Sequence, residues 1–452
     1  MPRVHPFNAL HYDTPRDQSA LIAPPYDVLD AAGKQRLLAK DLRNIVAIDL
    51  PHTPAKELGP PGAYAAAAEQ LRQLHTDGTL TQTSKPVMFA YRQTWMQRDG
   101  ASSLQTRSRS GMACTLETVP FGPRSGGGIL PHEETFSGPK EDRLALMRVT
   151  RTQLSPIFGL HADEHGRARD LLRGVMSSRQ PDRTATTDDG TLQEVWTIDD
   201  TTTIATYETA LAGEDVFVAD GHHRYTTALN YLRELEAAAP LAADHPAHRT
   251  MFVLVGMSDP GLTIWPTHRV LGGMKHYSID AMLAAAAHSL AITEVNRDPH
   301  LLTGLMEKTA DFSDASNVFG LIDFATGRCF VALLKQNDPL ANRFSDKPLA
   351  WRTLDVALVQ HLIVEEICQP KLNDALPIKW AFPHTIEEVQ RIGRGHETGA
   401  GGGSDFAQLA VILRPTPLSA VRDISRANVL MPQKSTFFYP KLATGLFMHT
   451  LG

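Results

Sequence analysis

Cysteine is scarce in this chain: Cys114, Cys329 and Cys368 are the three present, and no two of them form a CxxC pair. That count and spacing leave out a disulfide scaffold and a structural zinc site, and they suit a reducing compartment. Long apolar runs are lacking as well. FVLVGM at 252–257 is among the longest, far short of the roughly 20 residues of a membrane helix. The opening MPRVHPFNALHYDTP has no apolar core of signal-peptide length, so a soluble cytoplasmic protein without membrane contact is expected. Neither charge sign is in large excess, Lys+Arg 44 against Asp+Glu 50 giving a net −6. A field of that kind does not drive a protein onto nucleic acid. No helix-turn-helix with a basic recognition face is evident either, so nucleic acid is not an expected partner.

What remains is an ordinary globular composition: 452 residues, 42% hydrophobic and 21% charged, with histidine the one unusual count at 19. The length predicts two or three domains, placed at 1–150, 151–275 and 276–452. Helical spacing marks 31–40, 62–75, 139–149, 167–177 and 203–213. Strand patterns mark 44–51, 86–95, 111–119, 155–163 and 193–199, with RDGA at 98–101 as a turn between two antiparallel strands. LTIWPTHRVL at 262–271 reads as one further strand, and helix and strand signals alternate from 278 onward. Helices and strands mix without a strict βαβ rhythm, which predicts an α+β (mixed α/β) fold.

The sharpest chemistry lies at 216–238. Val216–Ala219 reads as a buried strand, Asp220-Gly221 as a tight turn, and His222, His223 and Arg224 as the first turn of an amphipathic helix. Amides at a helix start lack intrahelical partners, and the helix dipole is positive there. Two histidines and an arginine at that point disfavour the helix alone. They make sense around a bound anion such as phosphate. Gly221 lets backbone amides approach that anion. Asp220 has three candidate roles: helix cap, Mg²⁺ ligand, or acceptor of a hydroxyl proton. The competing interpretation is an aspartate cap followed by surface histidines.

The segment VADGHHRY resembles the ParB/sulfiredoxin-like superfamily, and within it the free serine kinases, whose Asp-Gly-His-His-Arg loop holds nucleotide phosphates and assists phosphoryl transfer. A wider resemblance covers nearly the whole chain. APPYDVL (23–29), LPHEETFSGPKEDRL (130–144), SPIFGL (155–160), ADGHHRYTTALNY (219–231), WPTHRVL (265–271) and MPQKSTFFYPKLATGL (431–446) resemble, in order, the bacterial and archaeal family known as domain of unknown function 1015. The resemblance implies a ParB/sulfiredoxin-like central unit flanked by α+β elements. It also implies a phosphotransferase using ATP or ADP with Mg²⁺ on a small hydroxylated metabolite such as serine or phosphoserine. Gly221, His222, His223 and Arg224 would then hold phosphate, with Asp220 and His223 catalytic and Asp220 on the metal. Outside the central loop the chain does not align with the serine kinases, so their catalytic base does not carry over.

Other clusters offer the rest of a site. His132, Glu133 and Glu134 follow the glycine-rich stretch at 122–128, and Lys140, Asp142 and Arg143 come soon after. A kinase acting on an alcohol needs a carboxylate near the hydroxyl, and Glu133 is the candidate base, with His132 and Glu134 on the substrate. Tyr26 and Asp27 sit on a turn stiffened by Pro24 and Pro25. Trp265, Thr267, His268 and Arg269 suit the rim of a small-molecule site. Lys434-Ser435-Thr436 mimics the end of a P-loop without its upstream glycines. Lys434, Tyr439 and Lys441 are alternatively placed to close over an anion. The GAGGG run at 399–403 has no helix after it and reads as a surface loop. Two other functions stay open: a ParB-like nucleotide-binding switch or partner module, and a metal-dependent phosphoester hydrolase using Asp220, His222, His223, His132, Glu133 and His268.

Overall fold

The antiparallel hairpin expected from alternating residues is the centre of the larger sheet. In the computed structural model Met88–Asp99 pairs with Ser103–Glu117, Phe89 opposite Ala113 and Tyr91 opposite Gly111. The structure describes all residues except 1, 14–15, 56, 100–102, 135–136, 296, 314–316 and 397–404. Part of the expected 98–101 turn and the GAGGG run at 399–403 lie outside the described residues. The fold is α+β, as composition and pattern predicted.

The chain divides into two compact units. The first holds residues 1–131, 135–263 and 440–452. Its nine-stranded sheet runs in the order Ile129–Leu130, Val216–Asp220, Ile157–His161, Arg249–Gly256, Ser103–Glu117, Met88–Asp99, Leu192–Ile198 and Arg183–Thr186, with Val4–His5 beside Ser103–Glu117. Pairing is mixed: Val216–Asp220 lies parallel to Ile129–Leu130 and antiparallel to Ile157–His161, with a bulge between Val218 and Asp220. Val216, Val218, Phe252, Leu254, Trp196 and Tyr225 fill the core on one face. The apolar run Val216–Ala219 is buried: sheet neighbours pair both of its edges, and Val216 and Val218 pack into the core on one face.

A second core in this unit gathers Tyr12, Tyr26, Ile45, Val46, Ile48, Tyr64, Leu71 and Met448. Here the expected strand at 44–51 is corrected: Val46–Asp49 is a short helix. Asn44 decides it. Its Oδ1 accepts the Val46 amide at 2.9 Å, and its Nδ2 donates to the carbonyls of Ala20 and Ile22. A short apolar run buried all round has no period of its own, so this cap settles its conformation.

The second unit comprises residues 132–134 and 264–439. It is built on an antiparallel six-stranded sheet ordered Leu290–Val295, Cys329–Leu334, Val318–Asp323, Ala407–Ile412, Arg269–Gly272 and Lys379–Ala381. Helices Pro299–Ser313 and Ile386–Gly393 supply Leu302, Met306, Val389 and Ile392 to its core. The single strand expected at 262–271 is interrupted at Pro266, leaving Thr263–Trp265 and Arg269–Gly272. Among the described residues, no helix is long and apolar enough to cross a membrane.

Candidate functional site

The strand ending in Asp220 delivers the chain to Gly221, whose φ of 96° is left-handed, and the helix His222–Ala238 begins at once. The Gly221 carbonyl accepts the first helical bond, from the Tyr225 amide at 2.9 Å. Gly221 has no side chain with which to cap the amides of the first helical turn. A Cβ at position 221 would lie 3.1 Å from both Cζ and Nε of Arg224. Glycine is therefore required twice, for its backbone angle and for the approach of the guanidinium.

Asp220 does not act as the helix cap, since its carboxylate is taken up by cations. Oδ2 accepts from Arg224 Nη2 and Oδ1 from Lys441 Nζ. Arg224 also donates through Nη1 to the Pro156 carbonyl. Burial alone would raise the Asp220 carboxyl, but Lys441 and Arg224, with His222 adding to them, hold it well below the usual carboxylate range. His222 is buried, and His223 is half-buried.

Lys441 is held from behind. Arg109, 2% exposed, donates to the Pro440 carbonyl at 2.7 Å, and Gln93 donates to the Lys441 carbonyl at 2.9 Å. Arg109 also bonds Gln93 Oε1 and lies 4.4 Å from the Phe158 ring centre. Tyr91 and Gln193 complete this buried polar row across neighbouring strands.

A cavity of about 40 Å³ in the same unit has Arg224 in its wall, with Tyr26, Asp49, Arg143, Ser155 and Thr227. Asp49 is buried; its Oδ2 accepts from Ser155 Oγ at 3.3 Å, and its Oδ1 lies 3.5 Å from Arg143 Nη1. Burial raises its carboxyl, against the opposing charges of Arg143 and Arg224. The Arg143 guanidinium stands 4.1 Å over the Tyr26 ring and pairs with Asp142, which also accepts from Tyr64 at 2.7 Å. Thr227 Oγ1 is buried with no hydrogen-bond partner among the described residues.

The remaining candidates belong to the second unit. Glu133 Oε1 accepts the Lys434 amide at 2.7 Å, and His132 Nε2 is 2.8 Å from Thr436 Oγ1. Glu134 is exposed. Trp265 stacks on Tyr439 with ring centres 3.8 Å apart. Thr267 Oγ1 is 3.4 Å from His384 Nδ1. His268 is buried, its Nδ1 accepting the Leu413 amide at 3.1 Å, and burial lowers it to about 3, so the ring is neutral. Arg269, also buried, donates to the carbonyls of Thr267 at 2.7 Å and Lys434 at 3.0 Å. Lys434 adopts a left-handed φ of 59° between these two bonds.

Thus Asp220, Gly221, His222, His223 and Arg224 share the first unit, and His132, Glu133, Glu134, Trp265, Thr267, His268, Arg269 and Lys434 lie in the second. The place of Asp49 in this cavity wall was invisible in the sequence, because the 44–51 stretch reads as a strand. Lys441 was read in the sequence as a residue that could close over an anion, and its pairing with Asp220 was not. Among the described residues there is no group of three or more His, Cys, Asp or Glu side chains that could hold a metal ion.

The family model described as "Protein of unknown function (DUF1015)" matches residues 4–357. No curated protein matches the chain. Among solved structures, a free serine kinase variant in complex with ADP is 11% identical with a TM-score of 0.32, over 73% of this chain and 95% of that one. A conserved hypothetical protein from Pyrococcus furiosus is 14% identical with a TM-score of 0.30, over 73% and 98%. SbnI from Staphylococcus aureus is 9% identical with a TM-score of 0.30, over 71% and 84%.

Proposed function

The chain belongs to the DUF1015 family, and we propose that its first unit binds the phosphates of ATP or ADP at the Gly221 turn and passes a phosphoryl group to a small hydroxylated metabolite such as serine or phosphoserine. One observation carries this: a left-handed glycine opens the start of the helix, and the Arg224 guanidinium packs against that glycine. Amides and a guanidinium are what a transferring phosphoryl group needs, because its catalysis is mostly positioning and charge stabilisation. His222 and His223 add donors to the same turn.

The acceptor hydroxyl needs a carboxylate. In the first unit Asp49 lines the same cavity as Arg224, and its raised carboxyl is suited to accept a proton. Mg²⁺ would arrive on the nucleotide's own phosphates, as it holds few protein ligands in such sites. Asp220 is the carboxylate at the turn, and because Arg224 and Lys441 hold both of its oxygens it would reach the ion only after those cations turn to the phosphates. The ion would neutralise phosphate charge.

The test incubates the full chain with ADP or ATP and serine and reads phosphoserine by mass spectrometry. Product is expected, with Arg224→Met slowing turnover by about a hundredfold or more. Nucleotide that binds without any transfer would replace the kinase with a nucleotide-binding switch, and no nucleotide binding at all would overturn both.

A further inference from the structure

Asp220, Arg224 and Lys441 form a three-charge cluster whose composition is unusual for a stabilising device. Side chains of Asp220 and Lys441 are 17% and 14% exposed, and that of Arg224 is 11% exposed. Burying charges costs solvation that pairing rarely exceeds, so stability alone is a poor reason for placing three of them at a strand end. Two full cations also share a single carboxylate, one on each oxygen. The cluster therefore carries a positive excess before the helix start is counted.

The support behind Lys441 points the same way. Arg109 and Gln93, both buried, each spend a hydrogen bond on the backbone of Pro440 and Lys441. Fixing two consecutive carbonyls fixes the root of the Lys441 side chain, and Pro440 restricts the backbone further. Such support is what a positioned ligand group has, whereas a solvated surface lysine has none.

We propose that Lys441 is a phosphate ligand of the Gly221 turn, and that the Asp220 carboxylate is a built-in anion that occupies Lys441 and Arg224 until a phosphate takes them over. This rests on the phosphate-binding role given above to that turn, and extends it to the segment at 440–452. A phosphate brings two or three charged oxygens where Asp220 brings two, and it also reaches the helix amides. A polyphosphate or phosphomonoester therefore displaces the carboxylate, and a singly charged anion competes with it poorly. Asp220 thereby selects multiply charged phosphates.

The full chain is titrated calorimetrically with inorganic pyrophosphate and with ADP, in metal-free buffer at low salt. Wild type is expected to bind, Asp220→Asn to bind pyrophosphate about tenfold tighter, Lys441→Met about tenfold weaker, and Lys441→Arg close to wild type. Asp220→Asn binding equally or more weakly would show that the carboxylate holds no place for the ligand, and would overturn the proposal. Lys441→Met binding like wild type would make that lysine a structural partner of Asp220 and would overturn it as well. If neither wild type nor any variant binds either probe, what fails is the phosphate site itself. Should Asp220→Asn melt before the titration temperature, the Lys441→Met and Lys441→Arg pair decides.

Discussion

Replacing Gly221 by alanine tests the turn with an internal control. Gly221 and Gly213 both sit at left-handed φ, 96° and 85°, but a Cβ at 221 would stand 3.1 Å from the Arg224 guanidinium carbon, whereas one at 213 would meet nothing within 4 Å. The left-handed backbone costs an alanine about 1–2 kcal/mol at either site. Only at 221 must a neighbour also give way. Arg224 cannot withdraw without loosening its bonds to the Pro156 carbonyl and Asp220. Crowding of that kind adds about 1–3 kcal/mol. Gly213→Ala is thus expected to cost about 1–2 kcal/mol in urea unfolding, and Gly221→Ala about 2–5 kcal/mol. In the Arg224→Met background the Gly221→Ala cost should fall back towards that of Gly213→Ala. Equal costs for the two single variants would refute a close packing of Gly221 on Arg224.

Asp49→Asn should lower turnover about a hundredfold or more while leaving nucleotide affinity in place; unchanged turnover would remove Asp49 as the proton acceptor. Acid should destabilise the fold through buried histidines. His268 and His449 are lowered by burial to about 3 and about 4. The unfolded chain binds their protons from about pH 6.5 downward, so each should subtract about 1.4 kcal/mol per pH unit below that point, ending at its folded value. His268→Asn retains an acceptor for the Leu413 amide and should flatten this slope between pH 6 and pH 4 in urea unfolding. An unaltered slope would mean His268 titrates in the folded state.

How much of this was legible in the sequence follows from how far apart the interacting groups lie. The Met88–Glu117 hairpin showed because its alternation is long and each strand's period is its own. The Asp220–Arg224 turn showed because five consecutive residues carry both its geometry and its chemistry. The Val46–Asp49 helix was misread because a short apolar run has no period, and the deciding contacts of Asn44 reach back to Ala20 and Ile22. Pro266 was in plain view, yet only the structure shows it dividing 262–271 into two separate strands.

Charge balance is the part least visible along a chain. Taken alone, Asp-Gly-His-His-Arg offers one carboxylate, one guanidinium and two imidazoles, which permits a cap, a metal ligand or a base at Asp220. Lys441, 221 residues further on, takes the second carboxylate oxygen and leaves no oxygen of Asp220 without a cation. A cation on each oxygen keeps the group ionised and makes it a weak proton acceptor, because its proton affinity has been lowered. Asp49 has the opposite surroundings, being buried with a raised carboxyl against a cavity wall shared with Arg224. Two carboxylates set apart in this way would divide the labour of the proposed phosphoryl transfer, one balancing the cations of the turn and the other suited to receive a proton.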